Sequence, residues 1–193
     1  MGPPSRYTHL ASEPALVHPT LTPKPVDEDV DTESLTNSEW AKYHLMRLAT
    51  TSSVDDFRTC ASESFARQVN ITVNGLHLSR DLYALQWGAA FGTSGDISFT
   101  GSVETPHVRV PMLQNAALVG LLYDAIFSNS GDRLDSVSGL VSPFNVSMSS
   151  SINIIIAEDK SLPNSTSDRR RIFSVNQVIS DRNGLLTFPL REL

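Results

Sequence analysis

The chain has 193 residues, 40% hydrophobic and 19% charged, which is room for one folded domain and a tail. Its net charge is −6, but residues 1–33 hold two cations against six acids and the other 160 carry only −2, without the basic field of a nucleic-acid binder. Cys60 is the only cysteine, which excludes an intrachain disulfide and a thiolate zinc site, and no apolar stretch reaches the ~18 residues of a membrane span.

Residues 1–33 contain six of the eleven prolines and end in an acidic cluster around Asp27, Glu28 and Asp29. Proline removes backbone donors, and no helical or strand period is present, so the segment reads as an arm without fixed structure, followed by a domain over 34–193. The arm lacks the basic start and apolar block of a secretory signal, and the expected location is cytoplasmic.

Thr36-Asn37-Ser38-Glu39 is a capping box, followed by Trp40, Ala41, His44, Leu45 and Leu48 at helical spacing. Ser53-Val54-Asp55-Asp56 opens a second helix with the stripe Phe57, Cys60, Ala61, Ser64 and Phe65, so the two form a helical hairpin. The period then switches to two at Val69–Val73, and Asn74-Gly75 is a two-residue turn signal. Ser79 is an N-cap candidate for a third helix with Leu82, Leu85 and Ala89 on one side, ending at Gly92 or Gly95.

Everything after Gly95 reads as sheet. Asp96–Glu104 places Ile97, Phe99 and Val103 on one face. Ala116–Phe127 is apolar on both faces, which predicts burial on both sides. Val146–Ala157 turns Ile152, Ile154 and Ile156 inward. Arg171–Asp181 carries Phe173, Val175, Gln177 and Ile179 on one face, and Ile172, Ser174, Asn176 and Val178 on the other. The connections 105–115 and 128–145 exceed what a hairpin needs and are candidate carriers of specificity.

The order helix, helix, short hairpin, helix, four long strands resembles the NTF2-like superfamily, which includes SnoaL-like polyketide cyclases, ketosteroid isomerases and scytalone dehydratase. The stretch from Ser64 to Asp81, with its strand, Asn74-Gly75 turn and Ser79-Arg80-Asp81 helix start, and the final strand Ile172–Asp181 carry the resemblance. It implies an α+β cone: three N-terminal helices packed on a curved, mostly antiparallel mixed sheet. It also implies an apolar pocket and a homodimer through the outer face of the sheet.

Enzymes of that superfamily need a carboxylate or histidine in a dry pocket, its pKa shifted by desolvation. The isomerase base position falls near Val73, beside Thr72 and Asn74, none of which is a base at neutral pH. The dehydratase histidines and tyrosines have no counterparts, and Asp181 ends its strand as a solvated cap. Asp124 is the catalytic candidate, because an acid inside an apolar strand is costly unless paired, hydrated or protonated. It reads either as a pocket acid or as the partner of an arginine such as Arg109 or Arg171. Tyr43, Trp87 and Tyr123 are candidate aromatic walls for a small apolar ligand. His44 lies on the first helix's apolar stripe as a core histidine, and no two histidines have the spacing of a helical metal pair. The sequons at Asn70, Asn145 and Asn164 are expected to stay unmodified. The expectation is therefore a cofactor-free NTF2-like module that binds a small apolar molecule and forms a homodimer, without nucleic-acid or membrane partners. The alternative is a cyclase, isomerase or dehydratase acting on an apolar carbonyl substrate.

Overall fold

The computed structural model describes residues 30–51, 54–84, 95–129, 144–163 and 165–181. The arm over 1–29, the far part of the third helix with Trp87, and 130–143 of the long connection lie outside the described residues. A 3-10 turn, Thr32–Ser34, precedes α1 (Asn37–Thr50) and α2 (Val54–Ser64). Then come β1 (Phe65–Val73), β2 (Leu76–Leu78), a helical segment described over 80–84, β3 (Gly95–Thr105), β4 (Ala117–Asn129), β5 (Phe144–Glu158) and β6 (Arg170–Asp181). The six strands form one sheet in the order β2-β1-β6-β5-β4-β3, with β1–β6 parallel and every other pair antiparallel. The architecture is α+β, a mixed, mostly antiparallel sheet with its helices at the N-terminal end.

The local signals act as the residue chemistry requires. Thr36 Oγ1 accepts from Glu39 N at 3.2 Å and Glu39 Oε2 accepts from Thr36 N at 3.0 Å, closing the capping box. Glu104 of β3 reaches the same helix end and accepts from Ser38 N at 3.0 Å and Asn37 Nδ2 at 2.9 Å. A carboxylate at a helix N-terminus is favoured by the aligned peptide dipoles, so this pair fixes α1 against the edge strand. Ser79 caps the segment over 80–84 through a 3.1 Å bond from Leu82 N. Asn74 and Gly75 both take positive φ, 49° and 81°, as a two-residue hairpin turn demands.

α1 buries Trp40, Ala41, His44, Leu45, Leu48 and Ala49 against the inner face of the sheet. That face is built by Val119, Leu121, Tyr123 and Ala125 of β4, Ile152, Ile154 and Ile156 of β5, and Ile172 and Val175 of β6. Two strand-face expectations are corrected. A bulge between Phe99 and Gly101 turns Val103 outward while Ile97 and Phe99 pack on the core. A register shift opposite Ile155 and Ile156 brings Ile172 inward, where it pairs Ile156 and is fully buried. Phe65 opens β1 instead of closing α2.

The described chain is tied down ahead of the capping box. Arg170 Nη1 donates to the Leu35 carbonyl at 2.8 Å, its Nη2 donates to the Thr32 carbonyl, and its guanidinium lies 5.5 Å from the Trp40 ring centroid. Asp168 holds both groups, accepting from Arg170 Nη2 at 3.0 Å and Trp40 Nε1 at 2.8 Å.

Candidate interaction face

Side chains alternate across a strand, so each inward residue of β4 leaves its neighbours facing out. Leu118, Leu122 and Ile126 form an outward row with exposures of 38%, 52% and 50%, while Leu121 and Tyr123 between them are 1% exposed. The row spans eight residue steps, roughly 26 Å of strand. Val103 of β3 and Val178 of β6 widen it at 66% and 59% exposure. Among the described residues the predicted two-sided burial of β4 is thus met on the inner side alone.

Among the described side chains the remaining outward positions, Asp124 aside, are uncharged and mostly small. In register they include Gly101 and Gly120, Ser149 and Ser151 of β5, and Asn153 opposite Asn176. Gly120 lets its neighbours close over it: a Cβ there would stand 2.9 Å from Val103 Cγ1 and 3.2 Å from Asn153 Oδ1. An open sheet face exposed to water commonly carries long charged side chains. Here aliphatic, serine and asparagine residues take their place.

Asp124 belongs to this outer face. It is half-buried between Leu122 and Ile126, pairs Ser98 and Ser149 across the strands, and accepts a 2.5 Å bond from Ser149 Oγ. Its partner is a hydroxyl, whereas Arg171 donates to the backbone carbonyls of Asp168 and Arg170. Tyr123 faces the other way into the core. Tyr43 stands half-buried on α1, in contact with the His44 ring and under the Arg47 guanidinium. The strand alternation therefore parts the catalytic candidate from the ligand wall drawn with it, and Trp87 lies outside the described residues.

The inner face carries a polar cluster that sequence reasoning missed. Gln177 is 1% exposed, accepts from Tyr83 OH at 2.8 Å, and donates to Tyr123 OH at 2.6 Å and Ser150 Oγ at 2.9 Å. Burial pushes the Tyr123 phenol up, against the pull of Ser150 and Gln177, so it stays neutral. Gln177 alternates with apolar residues on its strand, and that pattern was the available signal.

His44 is a second buried polar group. Ser64 Oγ donates to the Cys60 carbonyl at 2.6 Å, so the 3.0 Å contact to His44 Nδ1 requires the ring nitrogen to carry the proton and donate. Burial, reinforced by Arg47, lowers the His44 pKa to about 3. The ring is a neutral core donor packed 4.1 Å from the Trp40 ring centroid. Among the described residues no group of three or more His, Cys, Asp or Glu is placed to hold a metal ion, and no helix is long and apolar enough to cross a membrane.

No family model and no curated protein matches the chain. Among solved structures it is similar to Mtr2 of Candida albicans, with a TM-score of 0.51 at 12% identity over 79% of this chain and 97% of that one. A SnoaL-like family protein of Agrobacterium tumefaciens aligns with a TM-score of 0.43 at 9% identity, over 76% and 99% of the two chains. An NTF2-like protein of unknown function from Pseudomonas aeruginosa aligns at 0.44 and 12%, over 72% and 92%. The likeness to Mtr2 supports the NTF2-like architecture at the level of fold.

Proposed function

We propose that this chain is a protein-pairing module that works through the outer face of its sheet, and not an enzyme acting inside the cone. One observation carries the reading: Leu118, Leu122, Ile126, Val103 and Val178 stand exposed together on a face whose other described side chains, Asp124 aside, are neutral and mostly small. A contiguous apolar patch of this kind on a soluble fold marks a contact surface. The inner polar groups support the same reading, since Tyr83, Gln177, Tyr123 and Ser150 are engaged with one another and close to fully buried. Asp124 faces away from them and has no access to a substrate held in the cone.

The experiment is a capture of the tagged full chain from its own cells, beside a Leu122→Glu, Ile126→Glu variant. Both sites are half-exposed, so the variant folds with a melting temperature close to that of the wild type. The wild type is expected in a stoichiometric protein complex, and the variant outside it. A complex that survives both substitutions would overturn the reading.

A further inference from the structure

The outer face has a charge pattern that bears on its occupant. From the row Leu118–Ile155–Ser174 to the row Asp124–Ser149, the described outward positions of β3, β4, β5 and β6 carry aliphatic, glycine, serine, asparagine and threonine residues and one acid, Asp124. None of these positions is Lys or Arg. Asp124 lies inside the apolar row, so a chain packed on Leu122 and Ile126 strips its carboxylate of water. Among the described residues the carboxylate accepts from the Ser149 hydroxyl alone. One hydroxyl does not compensate a desolvated carboxylate, which needs a cation or several donors.

We infer that the chain packed on this face is not a second copy but a different protein, whose facing surface brings a Lys or Arg onto Asp124. The inference rests on the outer face being the contact surface. A second copy would bring to this face described side chains that are uncharged apart from its own Asp124, so each carboxylate would lose water without gaining a cation. A partner guanidinium or ammonium supplies the missing charge, and the surrounding Leu, Ile and Val exclude water from the pair.

The test separates this inference from the reading beneath it. The full chain is examined by sedimentation equilibrium at tens of micromolar, roughly where a stable sheet interface is fully formed. The wild type is expected to be a monomer. Asp124→Leu is expected to self-associate at least about tenfold more tightly, with Leu122→Glu abolishing that gain. In the complex captured from cells, Asp124→Glu is expected to keep the partner and Asp124→Lys to lose it. A wild-type dimer broken by Leu122→Glu would overturn the inference and leave the pairing face standing. A wild-type dimer indifferent to Leu122→Glu would overturn both. An Asp124→Leu variant as monomeric as the wild type, or a complex unaffected by Asp124→Lys, would also overturn the inference.

Discussion

Trp40 Nε1 donates to the Asp168 carboxylate at 2.8 Å, joining the first helix to the residue two places before β6. The same carboxylate pairs Arg170, whose guanidinium covers the Trp40 ring and holds the Thr32 and Leu35 carbonyls. Burial acts to raise the Asp168 carboxyl, but the bonds and charge of Arg170 outweigh it and hold it below its usual range. Asp168→Ala leaves a part-buried guanidinium and an indole N–H without their acceptor and should cost roughly 3 kcal/mol in urea unfolding. Trp40 emission should shift to the red as the 3-10 turn lifts. Because the folded pKa is depressed, this stabilisation is present above the ~3.9 of an unfolded Asp and is lost as pH falls through the folded value.

His44 supplies a separate acid sensitivity at higher pH. Its pKa is about 3 in the fold against 6.5 for the unfolded residue. Above pH 6.5 both states are neutral and the stabilisation is complete; below it the unfolded chain takes up a proton that the fold refuses. Lowering the pH from about 7.5 to about 5.5 should cost about 1.4 kcal/mol from this site, before carboxylates titrate. His44→Gln should flatten that slope while losing stability at both pH values. A wild-type slope unchanged in the variant would show that another histidine carries it.

Much of the fold is legible because periodicity and caps are local. The Thr36 capping box, the period change after α2, the Asn74-Gly75 turn and the apolar run of β4 each declare themselves within about a dozen residues. Bulges do not: the extra residue between Phe99 and Gly101 moves Val103 to the opposite face with no local composition signal. Asp124 shows why the site is harder to read than the fold. Its apolar setting is visible in the sequence, but a strand apolar on both faces hides which side is the core, so a carboxylate on an unpaired outer face looks like one in a pocket. Gln177 escaped because its partners Tyr83, Tyr123 and Ser150 come from three other elements.

Two turns should respond oppositely to glycine. Val110 and Leu113 close a turn with a 3.2 Å bond, with Pro111 and Met112 at its centre. Met112 has φ of 68°, where glycine is favoured, and its side chain is fully exposed. Met112→Gly therefore removes strain without removing a contact and should stabilise the chain by about 1 kcal/mol. Gly75 at φ 81° has open space around an added Cβ, so Gly75→Ala tests conformation alone and should cost about 1 kcal/mol. Thermal melts of the two variants should move in opposite directions.

Leu121 and Leu122 offer a sharper test of which face of β4 is committed to the core. They are adjacent leucines on one strand, one 1% exposed and the other 52%. Leu121→Ala removes side-chain volume among Val119, Tyr123 and Ile152, where the sheet and α1 leave little room to collapse, and should cost roughly 2–5 kcal/mol. Leu122→Ala empties nothing in the isolated chain and should stay within about 0.5 kcal/mol in urea unfolding. In the captured complex the order reverses. Leu122 then lies at the centre of the contact, and its truncation should weaken association by about tenfold or more, the scale of an anchoring interface residue. Leu121→Ala, measured where the fold is still populated, should leave association close to wild type, because its side chain never reaches the partner. Equal losses of stability for the two variants would mean that both faces are core, and the outer face could then not serve as the surface on which another protein docks.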